Sequence, residues 1–216
     1  MLEEMGSFFD ARLEGYEEHQ MTCIESAPIF YPFTAERLPR QPGVSILDLG
    51  CGTGLELNYY FPLVPEAQVT GIDLAPGMLR MLRSKFPEKQ LTLIQGSYFC
   101  VPFPEACFDA AVSVESLHHF TQAEKLPLYQ KLHAALKPSG YFILTDYFAP
   151  DSAYETFYRQ ELLRLKQEQG IADDAFYHYD TPLTVEHETQ ALLQAGFSRV
   201  ELLGTWGCTN TLKAYY

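Results

Sequence analysis

The chain has 216 residues, of which 47% are hydrophobic and 14% aromatic, and this composition predicts one globular domain with its own core rather than a disordered chain. Acidic residues outnumber basic ones by 28 to 15, which gives a net charge of -13. Because proteins that bind nucleic acids need a basic surface to displace counterions from phosphates, this charge disfavours a nucleic-acid partner. The five cysteines are scattered and contain no Cys-x-x-Cys pair, which argues against a disulfide framework and against a zinc site.

The N-terminal residues are acidic instead of basic and apolar, and no apolar run approaches the length of a membrane span. We therefore expect a cytoplasmic protein with no membrane partner, no metal and reduced thiols. The expected oligomeric state is a monomer or a homodimer.

From residue 44 onward, short apolar runs alternate with segments that have helical spacing. This alternation predicts a Rossmann-like, doubly wound α/β fold with helices on both faces of a mostly parallel seven-stranded sheet. The last strand is expected to be antiparallel and to follow a hairpin at Gly207, and Lys137-Pro-Ser-Gly140 is expected to end a helix before the fifth strand. The predicted strands are 44–49, 68–72, 91–94, 108–114, 141–145, 199–203 and 208–216, and the predicted helices are 55–62, 78–86, 126–136, 154–169 and 184–195.

Two aromatic-rich segments interrupt this alternation within the single domain 1–216. Residues 1–40 are predicted to form a helical cap, and residues 147–182 an inserted lid. Aromatic residues at helical spacing more often face a core than a ligand. We therefore expect core positions in preference to an acceptor pocket for six residues of the lid: Tyr147, Tyr154, Tyr158, Tyr177, His178 and Tyr179.

Three glycines at alternate positions, Gly50, Gly52 and Gly54, follow the first predicted strand and precede a helix. A strand, a glycine-rich turn and a helix in this order form a general nucleotide-binding arrangement, because bare backbone lets a ligand approach the start of the helix. The spacing is not the G-x-G-x-x-G of dinucleotide sites, and no Gly-Lys-Ser/Thr of a phosphate loop follows. Neither of those two patterns therefore fits, and the ligand is left open by the glycines alone.

The stretch Asp48-Leu-Gly-Cys-Gly-Thr-Gly54 resembles motif I of the class I S-adenosylmethionine-dependent methyltransferases, closely over residues 44–147 and more loosely beyond. In that family an acidic residue at the end of the next strand binds both ribose hydroxyls, and Asp73 stands there; a charged acceptor strengthens such bonds. The resemblance implies S-adenosylmethionine as the cofactor. The cofactor-binding residues that it implies are Tyr16, Asp48, Gly50, Cys51, Gly52, Gly54, Asp73, Leu74, Met78, Gly96, Ser97, Tyr98 and Glu115.

Several of these residues carry a specific expectation. Ser97 replaces an Asp that is frequent in the family beside adenine, and a hydroxyl binds the ring more weakly than a carboxylate. Cys51 is expected to fill space beside the cofactor. Tyr16 either contacts the methionine end of the cofactor or only packs a cap helix. His118 and His119 follow the fourth strand, where they are candidates for a general base or for simple polar contacts.

The expected function is methyl transfer from S-adenosylmethionine to a small-molecule acceptor. An in-line displacement needs mainly positioning and the exclusion of water, which together supply about 7 to 11 kcal/mol, so a catalytic base is optional. Methylation of tRNA or rRNA, against which the charge argues, and a non-catalytic cofactor-binding protein remain the alternatives. The acceptor atom is left open among O, N, S and C.

Overall fold

The computed structural model describes residues 1–172 and 175–216. Asp173 and Asp174, which belong to the lid predicted from the sequence, lie outside the described residues. The seven strands are β1 (Ser45–Leu49), β2 (Gln68–Asp73), β3 (Gln90–Gln95), β4 (Phe108–Val114), β5 (Leu136–Tyr147), β6 (Arg199–Trp206) and β7 (Thr209–Tyr215). The α-helices in the described parts are α1 (Met5–Ala11), α2 (Tyr16–Cys23), α3 (Ala27–Arg37), α4 (Leu57–Leu63), α5 (Pro76–Lys85), α6 (Gln122–Ala135), α7 (Ser152–Gln169) and α8 (Val185–Gln194).

The seven strands form one sheet in the order β3-β2-β1-β4-β5-β7-β6. The pairs from β3 to β5 are parallel, whereas β7 is antiparallel to both of its neighbours. This confirms the predicted Rossmann-like sheet and its antiparallel last strand. The strand order reverses between β1 and β4, and in open α/β sheets a ligand binds at the carboxyl edge of such a reversal.

The hydrophobic core has two parts, one on each face of the sheet. Helices α6 and α8 cover one face with residues such as Leu132 and Leu192, and helices α3, α4 and α5 cover the other with residues such as Phe30 and Leu82. All four of these side chains are fully buried. Burying one such side chain contributes about 1.5 to 3 kcal/mol relative to leaving it exposed. Helices on both faces therefore hold the carboxyl edge of the sheet rigidly in place.

The boundary between α6 and β5 differs from the expectation. Helix α6 begins at a capping box in which the side chains of Thr121 and Glu124 satisfy the free backbone groups. The helix ends at Ala135 and the chain enters β5 at once, so that residues 137–140 belong to the strand and do not form a separate turn. The additional strand residues 137–140 are accommodated by a register shift in the pairing with β4, between Phe108 and Ala110.

Helix α3 was expected in the cap, but the structure places it in the core of the sheet. Phe30, Tyr31 and Ala35 on this helix are buried against α4 and β1, and the hydroxyl of Thr34 bonds that of Thr145 in β5 at 2.5 Å. The apolar side chains of α3 are thus needed to complete one face of the sheet. We use "cap" below for residues 1–25 and 148–182, and "body" for the remainder.

The two parts of the cap are joined by backbone hydrogen bonds. Glu4 and Tyr177 form an antiparallel bridge, and the amide of Met5 donates to the carbonyl of Phe176 at 3.2 Å. The ring of Phe8 stacks on His178 with ring centres 3.6 Å apart. The first helix and the inserted segment therefore form one connected covering over the carboxyl edge of the sheet.

The expectation that the lid aromatics occupy a core is wrong. All six are only partly buried: Tyr147, Tyr154, Tyr158, Tyr177, His178 and Tyr179. Tyr154 stacks on Tyr158, and its hydroxyl bonds that of Tyr147 at 2.7 Å, so helix α7 presents these rings along a surface. In the described parts of the chain, no helix combines the length and the apolar character that crossing a bilayer requires.

Candidate active site

The three glycines of the loop after β1 all have left-handed backbone angles, with φ of 70° at Gly50, 48° at Gly52 and 69° at Gly54. A side chain would nevertheless meet different surroundings at each. A Cβ on Gly50 would lie 2.0 Å from the hydroxyl oxygen of Ser116, and one on Gly54 would lie 2.5 Å from Leu82 on α5. Two of the glycines are therefore required by close packing within the protein.

Gly52 differs from the other two because it borders open space. The nearest atom to a Cβ placed there is the hydroxyl oxygen of Tyr16, at 3.9 Å. The exposed backbone at this position faces a cavity of about 50 Å³. Gly52 is thus the position at which bare backbone is offered to a ligand.

Asp73 lies at the carboxyl end of β2 and holds the glycine loop. Its two carboxylate oxygens accept hydrogen bonds at 2.8 Å from the amides of Gly52 and Ala75. Burial raises its pKa, although these backbone bonds work in the opposite direction. A carboxylate oxygen accepts more than one hydrogen bond, so the side chain retains acceptor capacity toward the cavity that it borders.

Beneath the loop, Asp48 and Glu56 form a buried pair of carboxyl groups. Asp48 Oδ2 and Glu56 Oε1 have no hydrogen-bond donor among the described residues. Burial, and then the charge of Glu56, raises the pKa of Asp48 well above its usual value; burial also raises the pKa of Glu56. The raised pKa values favour a proton held between the two groups, and a cation bound nearby would favour its release.

The small cavity beside Gly52, here called the loop cavity, brings together most of the residues that the sequence assigned to the cofactor. Glu115 is among them: it follows β4 in a left-handed conformation with φ of 50°, and burial raises its pKa to about 8. The predicted residues that line the loop cavity are Tyr16, Gly50, Gly52, Asp73, Leu74, Met78, Tyr98 and Glu115.

Five predicted cofactor residues do not line the loop cavity: Asp48, Cys51, Gly54, Gly96 and Ser97. Cys51 is buried with its sulfur against Gly71, so it fills space behind the loop. The Ser97 hydroxyl accepts a bond from the amide of Phe99 at 3.2 Å, and that bond shapes the turn after β3. Tyr98 borders the cavity instead, and its hydroxyl bonds Ser116.

A second cavity of about 950 Å³, here called the large cavity, lies between the body and the cap. It contains both predicted histidines, His118 and His119, together with Tyr147, and it is closed on the cap side by residues of α1 and α2. Four residues border both cavities: Phe9, Tyr16, Glu115 and His119. The two cavities therefore meet, and these four side chains stand at the junction.

Tyr16, the first residue of α2, reaches this junction from the cap. Burial, followed by the charge of Asp73, raises the pKa of its phenol, so the hydroxyl is neutral and able to donate a hydrogen bond. Phe9 meets its ring edge-on at 6.3 Å. Both of the roles that the sequence allowed, packing of the cap and contact with a ligand, agree with this position.

A polar cluster lines the wall of the large cavity behind the junction. His118 Nδ1 lies 2.5 Å from Asp146 Oδ1 at the end of β5, and Asp180 of the cap faces both histidines. Burial disfavours charge on His118, but Asp146 outweighs it and raises the pKa of His118 well above its usual value. Burial, and then the charge of His118, lowers the pKa of His119 to about 4.

The sequence analysis missed three acidic residues of the site: Glu56, Asp146 and Asp180. Asp146 could have been found, since it ends a parallel strand beside β4 and therefore reaches the same edge as His118. Asp180 is 62 residues away from His118 along the chain, in the irregular part of the cap, and no local pattern marks it.

The charge around the loop restricts the class of ligand. Four carboxyl groups, those of Asp48, Glu56, Asp73 and Glu115, surround Gly52, and each affects Tyr16 or its neighbours electrostatically. Phosphate groups are repelled by such surroundings, whereas a cationic nucleoside is attracted. The fold and the site thus define an α/β protein whose glycine loop and acidic surroundings suit a nucleoside that carries no phosphate, and S-adenosylmethionine is such a nucleoside.

Comparison with known proteins identifies the family. The sequence profile of the methyltransferase domain matches residues 46–140. The chain is 34% identical over 123 residues to an uncharacterized methyltransferase of Synechocystis, covering 57% of this chain and 56% of that protein. It is 26% identical over 212 residues to (+)-O-methylkolavelool synthase of Herpetosiphon aurantiacus, and the match covers 96% of this chain and 68% of that protein.

A solved structure of a methyltransferase from Mesorhizobium loti has the same fold, with a TM-score of 0.61 at 21% identity over 86% of this chain and 96% of that one. Residues 46–140 match the methyltransferase domain, and these relatives support a class I S-adenosylmethionine-dependent methyltransferase with S-adenosylmethionine as its cofactor. It spans from about a quarter to just over half of the length of the first curated relatives that it matches.

Proposed function

We propose that this protein transfers the methyl group of S-adenosylmethionine to a small-molecule acceptor bound in the large cavity. The observation that carries the proposal is the junction of the two cavities. The side chains of Phe9, Tyr16, Glu115 and His119 border both spaces, so a ligand held at the glycine loop and a ligand in the large cavity would meet there.

The residues of the loop suit the cofactor. Gly52 offers backbone, Asp73 offers a carboxylate for the ribose hydroxyls, and the surrounding carboxyl groups attract positive charge. When bound, S-adenosylmethionine supplies an electrophilic methyl group on a sulfonium. The neutral Tyr16 and the ring of Phe9 supply aromatic surface beside the junction, and such surface stabilises a cation by about 0.5 to 2 kcal/mol.

The large cavity suits a small acceptor. Its volume of about 950 Å³ lies near the upper end of the range for small-molecule sites, and the net charge of -13 opposes the approach of RNA. The name of the Herpetosiphon relative, an O-methyl-compound synthase, describes a protein that makes a small molecule. Aromatic side chains such as Tyr147 and Trp206 line the wall, which favours an acceptor with a substantial apolar part.

The protein accelerates the transfer chiefly by positioning. Residues of the body fix one partner and the cap encloses the other, which supplies about 7 to 11 kcal/mol when both are held in line. Closure of the cap over the junction also excludes water. The predicted role of His118 or His119 as a proton acceptor stays a prediction, compatible with this mechanism but not required by it.

The test combines binding with turnover. Calorimetry should show one molecule of S-adenosylmethionine bound per chain, with affinity reduced at least tenfold in Asp73→Ala and unchanged in Glu66→Ala, which alters an exposed acid. Release of S-adenosylhomocysteine with a panel of small hydroxyl, amine and thiol acceptors then tests activity. Absence of S-adenosylmethionine binding would contradict the whole proposal. Binding of S-adenosylmethionine without release of S-adenosylhomocysteine for any acceptor would contradict the proposed methyl transfer.

A further inference from the structure

We propose that His118, His119 and Asp180 form a binding site for a divalent transition-metal ion on the wall of the large cavity. Two imidazoles and one carboxylate constitute a common ligand set for such ions, and this set leaves coordination positions open. Metal binding itself follows from the residues alone. Its use in holding an acceptor rests on the proposed function.

The positions of the three ligand atoms agree with a metal site. His119 Nδ1 lies 3.1 Å from Asp180 Oδ1, and His118 Nε2 lies 3.5 Å from the same oxygen. All three atoms lie within 4.8 Å of one another. Ligands about 2.1 Å from an ion and at right angles to each other are about 3 Å apart, so small side-chain adjustments suffice to bind the ion.

A further carboxylate orients the first ligand. Asp146 Oδ1 lies 2.5 Å from His118 Nδ1, and its other oxygen accepts a bond from the amide of Leu117 at 2.9 Å. Asp146 is buried at the end of β5, so this contact fixes the imidazole and directs Nε2 toward Asp180. Histidines that bind metals characteristically have such a carboxylate on the other ring nitrogen.

The arrangement differs from an ordinary ion pair. An ion pair needs one imidazolium for one carboxylate, as for His187 and Glu155, which lie 2.7 Å apart. In the cluster, two imidazoles with ring centres 4.0 Å apart converge on a single oxygen of Asp180. One bound cation would use all three groups, with a ring nitrogen of each imidazole and the Asp180 carboxylate as its ligands.

The site lies where it can contact an acceptor. His118, His119 and Asp180 all border the large cavity, and His119 also borders the loop cavity. An ion held there would have open positions facing the large cavity. Because a Lewis acid binds and orients oxygen atoms, the proposed acceptor class is a molecule with a hydroxyl, enol or carbonyl oxygen close to the atom that receives the methyl group.

The first experiment measures metal binding directly. Tag-free protein is stripped with EDTA and titrated with Co²⁺, followed by visible absorption, and with Zn²⁺ and Mg²⁺ by calorimetry. We expect one Co²⁺ or Zn²⁺ per chain and much weaker Mg²⁺ binding, since Mg²⁺ prefers oxygen ligands. Asp180→Asn and His119→Ala should each weaken Co²⁺ binding at least tenfold. His187→Ala, which disrupts the matched ion pair on α8, should leave it unchanged.

Two outcomes would overturn the metal site: no stoichiometric Co²⁺ or Zn²⁺ binding, or binding that persists unchanged in both Asp180→Asn and His119→Ala. Circular dichroism and thermal unfolding of each variant establish that it folds, and Asp180, with a side chain that is 45% exposed, is the safer substitution. Calorimetry with S-adenosylmethionine on the same metal-free protein separates the two proposals. Cofactor binding without metal binding rejects only the metal site, whereas loss of cofactor binding rejects the proposed function.

Discussion

The body and the cap each contain a pair or network of charged side chains, and the two differ in exposure. In the body, Lys125 on α6 and Glu188 on α8 are both 2% exposed and lie 2.6 Å apart. In the cap, Arg164 on α7 is 51% exposed and pairs with Glu161 and Glu168. We therefore expect these exposed contacts of the cap to open at a lower cost than the buried pair of the body.

Only a few polar contacts join the first helices of the cap to the glycine loop. Asp10 on α1 accepts a bond from the amide of Gly77 in the first turn of α5 at 2.8 Å. Lys85, at the end of the same helix, bonds Glu17 on α2 at 2.5 Å and the carbonyl of Thr53 at 3.0 Å. Because these contacts hold the cap against the loop, we expect them to loosen when the cofactor enters. The predictions below separate the two regions experimentally.

The largest effect on the free energy of unfolding is expected at the buried ion pair of the body, Lys125 and Glu188. Lys125→Met leaves the carboxylate of Glu188 buried with Tyr129 as its remaining partner. An uncompensated buried charge costs about 3 to 5 kcal/mol. Urea unfolding should show a decrease of this size in the free energy of unfolding.

Arg164→Met removes two surface ion pairs from the cap and serves as the contrasting variant. Exposed ion pairs contribute little because water and salt screen them, so its unfolding curve should superimpose on that of the unchanged protein. Equal losses from Lys125→Met and Arg164→Met would contradict the distinction between the two regions.

The next effect tests the open position of the glycine loop. Gly52→Ala places a methyl group at the loop cavity and should weaken S-adenosylmethionine binding about 10- to 100-fold, or about 1.4 to 2.7 kcal/mol. Gly43→Ala is the matched control, because Gly43 has a similar φ of 72° with no atom within 4 Å of the added group. Both variants carry the backbone strain of a left-handed residue. Similar cofactor affinities in the two variants would show that Gly52 does not face the ligand.

The sequence was sufficient to predict the body because its signals are local. Apolar runs of strand length, helical spacing and the three glycines each mark one element, and alternating elements permit few topologies. The boundary error at residues 137–140 arose because Pro and Gly signal a turn, while the register shift beside Phe108 lets the strand continue through them.

The cap could not be predicted in the same detail. Its aromatic residues have helical spacing on α7, but whether such a face meets a core or a cavity depends on what packs against it. Asp180 lies beside His118 because the amide of the next residue, Thr181, donates to the carbonyl of His118 at 2.8 Å, while further backbone bonds near Glu4 and Tyr177 connect the two parts of the cap. Backbone pairing of this kind leaves no pattern in side chains, and so the sequence could not indicate the polar cluster.

The third effect concerns the carboxyl pair beneath the loop. Because the pKa of Asp48 is raised in the folded state, the folded protein keeps a proton that the unfolded chain releases above about pH 4. The free energy of unfolding should therefore decrease as pH rises from about 4 toward the raised pKa, by up to about 1.4 kcal/mol per pH unit for one proton.

Asp48→Asn should flatten this dependence, since its amide supplies a hydrogen to Glu56 at every pH. Urea unfolding of both proteins from about pH 5 to about pH 8 measures the difference, with Glu66→Gln as the surface control. Parallel pH profiles for Asp48→Asn and the unchanged protein would show that no proton is shared.

The smallest effect should appear only in the cap. Asp10→Ala removes the bond to the amide of Gly77, a loss of about 1 kcal/mol, which corresponds to about a fivefold increase in local opening. Hydrogen exchange should accelerate by that factor in residues 5–11 and stay unchanged in residues 45–49, because α1 opens without unfolding the sheet. The control variant Glu18→Ala, at an exposed cap position, should change hydrogen exchange in neither of these two segments. If exchange in β1 increases as much as in α1, cap and body open as one unit, and cofactor entry then requires a motion of the whole domain.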